Sequence, residues 1–413
     1  MKVLVVSSKY PPEYSGSGHR AHATWQRLRQ RWPELTWEVV CNAVTQAGRR
    51  QEVFEGVPVM RLASPLFQHA HRIPWSGLRR IVQACQMWWE GATALWVLRQ
   101  KKCDVLHVLG ISPATTAAVM WSRWRRIPLL LELVNAGAAP DLNFPGLRWF
   151  WQPDLTRGAV VVAISEELGR VCVQKGLRDN VWIRANPVDE KVFYPDFAQR
   201  GTLRRALTPF QEGDRVITSV AKFIPRKNQI FLLEVLARLP DRFKLILVGP
   251  LVESGPFRER DLACFQKIEA RVRELGLTSR VMLKSGHVSA APFMRLADLY
   301  ALPAWDEGLG TPMLEAMACG VPVVANAAEA AFREWIREGE NGSLRPLDPA
   351  AWAEAILLVE RFTPEQCMHM ADAILAKATT AVIDHGYRCL LQGLTSVAPD
   401  QVLPVDTWLT HAP

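Results

Sequence analysis

Trp305-Asp306-Glu307-Gly308-Leu309-Gly310-Thr311-Pro312-Met313-Leu314-Glu315-Ala316-Met317-Ala318-Cys319-Gly320-Val321-Pro322 lies between the apolar runs Leu299–Leu302 and Val321–Ala325. A short apolar run stopped by Pro303 predicts a buried strand. Gly308 and Gly310 allow backbone conformations that other residues resist. Thr311 suits an N-cap, Pro312 the first helical position and Gly320 a left-handed cap. The stretch therefore predicts a glycine loop that opens a helix at the carboxyl end of a strand. Such a helix start presents backbone N–H groups and the positive end of a dipole, which suits a phosphate. Glu307 on the loop and Glu315 in the first turns would repel that phosphate unless they serve other groups. Hydroxyls of a sugar or ribose are natural partners, because a carboxylate accepts several hydrogen bonds. On a generic helix both would be surface carboxylates; the surrounding loop favours hydroxyl binding.

The same alternation extends in both directions. Upstream, Val3–Val6, Trp37–Cys41, Val105–Leu109, Leu129–Val134, Val160–Ile164 and Val181–Ile183 read as short buried strands. His19–Arg31 and Leu78–Lys101 read as helices. After a polar stretch at about Asp196–Asp214 the pattern restarts, with strands at Val216–Val220, Lys244–Val248, Val281–Leu283, Leu299–Leu302 and Val321–Ala325. Asn228–Leu239 reads as an amphipathic helix. Apolar strands separated by helix-length segments predict parallel sheets covered on both faces. The fold class expected is α/β, with two tandem doubly wound, Rossmann-like domains facing a cleft. The domains expected are 1–195 and 196–395, followed by an irregular Pro-rich tail at 396–413. Ligands in such folds bind outside the carboxyl ends of the strands.

A length of 413 residues suits two such domains. The eight cysteines are scattered without a Cys-x-x-Cys pair, which speaks against a disulfide framework or a zinc cluster. The start has no secretory pattern, and no apolar stretch reaches membrane-spanning length. A cytoplasmic protein is expected, with membrane contact only at its surface. The net charge of +8 calls for an anionic partner, and no nucleic-acid recognition motif accompanies it.

Glu-x7-Glu within Glu307–Val324 resembles the signature of family 4 retaining glycosyltransferases of the GT-B fold, glycosyl transferases group 1. The resemblance implies that Glu315 contacts the ribose of a nucleotide-sugar donor and Glu307 the hydroxyls of the transferred sugar. Gly308, Leu309, Gly310 and Thr311 would line the donor. The family's paired bases for the donor diphosphate match Lys222 and Lys227 in Val220-Ala221-Lys222-Phe223-Ile224-Pro225-Arg226-Lys227-Asn228, with Lys222 where Arg is usual. Charge is kept there but the bidentate fork is lost. Taken alone, the two lysines would be surface bases flanking a helix.

Ser15-Gly16-Ser17-Gly18 looks like the family's first glycine loop, which places Gly16 and Gly18 near the donor. Asn186-Pro187-Val188-Asp189 resembles its interdomain link, with Asn186 capping a turn, and Ser165 is an N-cap within Ala163-Ile164-Ser165-Glu166. His107 matches a His common in the family, against the ordinary reading of a satisfied core residue. Asn135 stands near where many members have His, and both are assigned to the acceptor side. Ala327-Ala328-Glu329-Ala330-Ala331-Phe332-Arg333-Glu334 replaces a Gly-Gly-x-x-Glu turn, with Glu334 matching its Glu.

The resemblance implies a retaining transfer of a sugar from a nucleotide-diphosphate sugar to a hydroxyl of a glycan, a lipid-linked or a small-molecule acceptor. Lys222, Lys227 and Glu307 would be catalytic. No Asp-x-Asp occurs, so neither a metal nor another cofactor is expected, and His19 with His22 reads as a solvated or cleft-edge pair. Two other classes fit the same residues: a sugar-nucleotide epimerase, and a non-catalytic nucleotide-sugar or glycan-binding protein. Bases mixed with Trp88, Trp89, Trp96, Trp121 and Trp124 suit either a domain core or peripheral contact with an anionic inner membrane surface.

Overall fold

The computed structural model describes residues 1–13, 15–43, 50–62, 73–140, 153–251, 258–286, 288–398, 401 and 404–410. The chain forms two compact units, Met1–Arg184 with Ile383–Pro413, and Ala185–Val382.

The first unit holds eight strands: β1 (Lys2–Ser7), β2 (Thr36–Asn42), β3 (Arg50–Phe54), β4 (Val57–Leu62), β5 (Val105–Leu109), β6 (Leu129–Leu133), β7 (Ala159–Ala163) and β8 (Val181–Ile183). Their order is β3-β4-β2-β1-β5-β6-β7-β8. Every pairing is parallel except β3 with β4. The central strands are buried at nearly every position, which is why they read as unbroken apolar runs.

The β3–β4 hairpin was not expected. Its two-residue connection, Glu55-Gly56, has φ of 46° and 78°, as a tight turn matched to strand twist requires. Glu-Gly is not a usual dipeptide for this turn, so the sequence did not announce it.

The second unit holds β9 (Arg215–Val220), β10 (Phe243–Gly249), β11 (Val281–Ser285), β12 (Leu299–Leu302), β13 (Val323–Asn326) and β14 (Gly342–Arg345). Their order is β11-β10-β9-β12-β13-β14, all parallel. Strand order reverses beside β9 and β12, and the carboxyl ends of those two strands carry the segments singled out by the sequence. A Cβ on Gly249, at the end of β10, would lie 1.8 Å from the Ala221 carbonyl, so only glycine permits that approach.

The unit boundaries differ from the expected 195 and 395. The helix Thr380–Ser396 begins at the end of the second unit, and from Ile383 onward the chain belongs to the first. The tail is not wholly irregular either. Val405–Thr410 is a helix whose Val405 is fully buried and whose Trp408 packs against the first unit's core. Pro404 precedes this helix, where proline is tolerated.

Candidate donor site

In the second unit β12 ends at Leu302 and the helix Thr311–Ala318 begins after the expected loop. The left-handed positions in that loop are Asp306, φ 59°, and Gly310, φ 79°. A Cβ on Gly310 would also meet the Phe332 ring at 2.7 Å, so glycine there is demanded twice. The cap differs from expectation. Gly310 is the N-cap, and Thr311 is the first helical residue. The Thr311 hydroxyl accepts from the Asn186 amide at 2.7 Å, so Asn186 reaches this helix start. Leu309 is buried, which gives its side chain to the core. Glu315 is half-buried on the helix.

A short 3-10 turn, Pro225–Lys227, follows β9. It brings Lys227 to Glu307, which accepts on Oε1 from the ammonium. Arg226 donates to the same oxygen at 2.6 Å and to the Asp306 carbonyl at 3.2 Å. The Trp305 N–H donates to the Arg226 carbonyl at 3.0 Å, so backbone and side chains staple the loop to the turn. Burial pushes the Lys227 ammonium below the usual lysine range, and Glu307 opposes that shift. Lys222 is half-buried just beyond β9, and its carbonyl accepts from the Gln229 amide at 2.7 Å.

Glu329 was quoted in the sequence without a role. Its carboxylate accepts from two successive backbone N–H groups, Asp306 at 3.1 Å and Glu307 at 3.0 Å. Successive N–H groups beside a left-handed residue form an anion-binding concavity. Glu329 fills it and fixes the backbone from which Glu307 projects. The sequence signal was a charged residue replacing a glycine turn three residues after β13.

The first-unit candidates fall differently. Ser15-Gly16-Ser17-Gly18 is not a loop: Ser15 is the N-cap of the helix Gly16–Arg31 and accepts from the Gly18 N–H at 3.2 Å. Gly16 and Gly18 are thus in its first turn, where a Cβ on Gly18 would lie 2.6 Å from the Lys9 carbonyl. Asn135 is exposed on a turn at the carboxyl end of β6. His22 is not solvated. It is buried between the Tyr10 hydroxyl, 2.6 Å from Nδ1, and Glu55, 2.9 Å from Nε2. Ser165 caps its helix as expected, accepting from the Leu168 N–H.

His107 is buried as a core residue would be, at 1% exposure. The Trp25 indole, a donor only, gives its N–H to Nδ1 at 3.0 Å, which leaves the ring proton on Nε2. Nε2 then donates to Glu132 at 3.2 Å. Glu132 also accepts from Arg184 at 2.6 Å and from the Tyr387 hydroxyl at 2.7 Å. A lone glutamate in a buried apolar strand was the signal for this network, since such a charge must be paired. Both ring nitrogens of His107 are thus engaged within this buried network.

Two doubly wound α/β units of this kind are the GT-B fold. Residues 214–360 match the family model described as "Glycosyl transferases group 1". The D-inositol 3-phosphate glycosyltransferase of Mycolicibacterium vanbaalenii is 31% identical over 202 residues, 45% of this chain and 45% of that protein. Its counterpart in Mycobacterium tuberculosis is 35% identical over 173 residues, 41% of this chain and 34% of that protein. The matched stretches thus span less than half the length of these relatives.

Among solved structures, the fold resembles that of Anabaena HepE in complex with UDP and glucose, with a TM-score of 0.71. Identity there is 19%, over 96% of this chain and 100% of that one. Sucrose-phosphate synthase from Thermosynechococcus elongatus gives a TM-score of 0.68 at 18% identity, over 96% and 99%.

Proposed function

We propose that this protein is a retaining glycosyltransferase that moves a sugar from a nucleotide-diphosphate sugar to an acceptor hydroxyl on a glycan, a lipid-linked or a small molecule. The observation that carries the reading is the convergence of Lys227 and Glu307 at a glycine-capped helix start, within residues that match group 1 glycosyl transferases. Lys222, Lys227 and the N–H groups of the helix start bind the diphosphate. Glu315 holds the ribose and Glu307 the transferred sugar. In a front-face displacement the bond from the anomeric carbon to the diphosphate oxygen breaks as the acceptor oxygen bonds to the same face. The acceptor's proton passes to the departing phosphate. Positioning and electrostatics supply most of the rate.

A thermal-shift panel of uridine, guanosine and adenosine diphosphates and their sugars tests the donor. Turnover of the stabilising donor, with product anomer assigned by NMR, follows. Inversion would remove retention, epimer release from donor alone would make the protein an epimerase, and binding without turnover a binding protein.

The acceptor side of the reading includes peripheral contact with an anionic membrane. In the first unit Trp88, Trp89, Trp96 and Trp124 are 56%, 52%, 55% and 63% exposed, whereas Trp121 is buried. The helix Ser76–Leu98 buries only Ala94, Val97 and Leu98. Arg99 lies over the Trp124 ring at 4.8 Å. Arg79, Arg80, Arg125 and Arg126 flank these tryptophans in sequence, and each base near an anionic surface is worth about 1 kcal/mol. No helix among the described residues is long and apolar enough to cross a membrane. The protein should float with vesicles containing anionic lipid and not with neutral ones. Trp88→Ser/Trp96→Ser/Trp124→Ser should lower the bound fraction ~10-fold; unchanged flotation would remove the membrane from the reading.

A further inference from the structure

Arg226 was not among the donor-binding residues that the motifs offered. It precedes Lys227 on the 3-10 turn, and both side chains end on one carboxylate oxygen, Glu307 Oε1. Two cations facing a single carboxylate leave the trio with an excess positive charge, and Lys222 lies on the same connection after β9. The Lys227 side chain is only 11% exposed and that of Glu307 9%, so little water screens the group. Neighbouring like charges repel, and an anion between them offsets that repulsion. Here Glu307 is that anion. Arg226 also differs from the two lysines in kind. Its planar fork matches two oxygens of a phosphate at once, where Lys222 and Lys227 offer point charges.

We propose that Arg226 is a third cationic ligand for the donor's diphosphate, and that Glu307 is the internal anion this diphosphate displaces from between Arg226 and Lys227. The inference rests on the nucleotide-sugar reading above. Exchange needs no movement of the loop. Glu329 holds the Asp306 and Glu307 N–H groups, and the Trp305 N–H is held by the Arg226 carbonyl. Only the Glu307 side chain has to turn, and the displaced carboxylate is then released to accept from hydroxyl groups. The order is built in: a diphosphate on the cations makes the sugar-binding carboxylate available. A ligand lacking the diphosphate leaves Glu307 engaged.

Calorimetric titration of the full chain with uridine, guanosine and adenosine diphosphates tests this, using wild type, Arg226→Ala, Arg226→Lys and Glu307→Gln. For whichever diphosphate binds wild type, Arg226→Ala should weaken binding roughly 10- to 100-fold, as expected for loss of charge-assisted hydrogen bonds. Arg226→Lys should recover part of that loss. Glu307→Gln should tighten binding by about 3-fold or more, because the competing carboxylate is gone. The Arg226 side chain is 41% exposed, so its alanine variant should fold, and the melting temperature without nucleotide checks this.

Wild-type affinity in Arg226→Ala overturns the role of Arg226, and weaker binding by Glu307→Gln overturns the displacement. If wild type binds none of the diphosphates, the nucleotide-sugar reading falls first and takes this inference with it.

Discussion

Alanine at Lys227 should lower kcat/KM by on the order of 10²–10³, the loss typical of removing one preorganised donor from developing charge. The ammonium is largely buried and tied to Glu307, so its position is set before substrate arrives. Negative charge grows on the leaving diphosphate as the glycosidic bond breaks, so the loss should fall mainly in kcat. Lys227→Arg should recover part of it. Burial lowers the Lys227 pKa, so the ammonium loses its proton at lower pH than an ordinary lysine. Activity should therefore decline on the alkaline side earlier than an unperturbed lysine would allow. Glu307→Gln removes the opposing charge and should move that decline to lower pH still. Full activity of Lys227→Ala across the pH range would end its assignment.

The second large effect concerns stability. Arg184→Met should destabilise the first unit by about 3–5 kcal/mol, because it strands the buried Glu132 carboxylate. Glu132→Gln should cost a similar amount by stranding Arg184, whereas the double replacement should cost less than either alone. Burial by itself would raise the Glu132 pKa. The Arg184 guanidinium, His107 and the Tyr387 hydroxyl outweigh it and hold the carboxyl well below its ordinary 4.5. A carboxyl depressed by folding contributes its full stability above its unfolded value and loses it progressively as pH falls from there toward the folded value. Wild type should therefore lose this contribution below about pH 4.5, while the double variant shows no such loss. Urea unfolding followed by near-ultraviolet circular dichroism between pH 3 and 7 measures both effects. A flat profile in wild type would contradict the assignment.

Much of the second unit was legible because its strands are buried on both faces and its glycines sit where geometry demands them. The Asp306–Glu315 stretch, with Pro303, Gly310 and Pro312 as punctuation, gave strand, loop and helix nearly in place. Thr311 misled because a left-handed glycine can cap a helix without any side chain. The pairing of Arg226 and Lys227 on one oxygen was not legible, since it depends on how a three-residue turn meets a loop 80 residues later. Glu329 escaped for the same reason. In the first unit, Gly16 and Gly18 suggested a loop, but the Ser15 cap makes their segment helical. His107 and Glu132 lie on adjacent strands but not directly opposite each other, since His107 pairs with Leu130, and that diagonal contact is set by strand pairing.

The return of residues 383–413 to the first unit orders events during synthesis on the ribosome. Ala185–Val382 is one continuous stretch and can complete its sheet as soon as it has emerged. The unit that emerges first must wait. Arg27 meets Asp384, and Glu132 with Arg184 meets Tyr387, only once the residues from Ile383 onward have emerged. Until then the nascent first unit holds an incompletely paired carboxylate beside an open aromatic face, for the ~10–40 s that translation of the intervening residues takes.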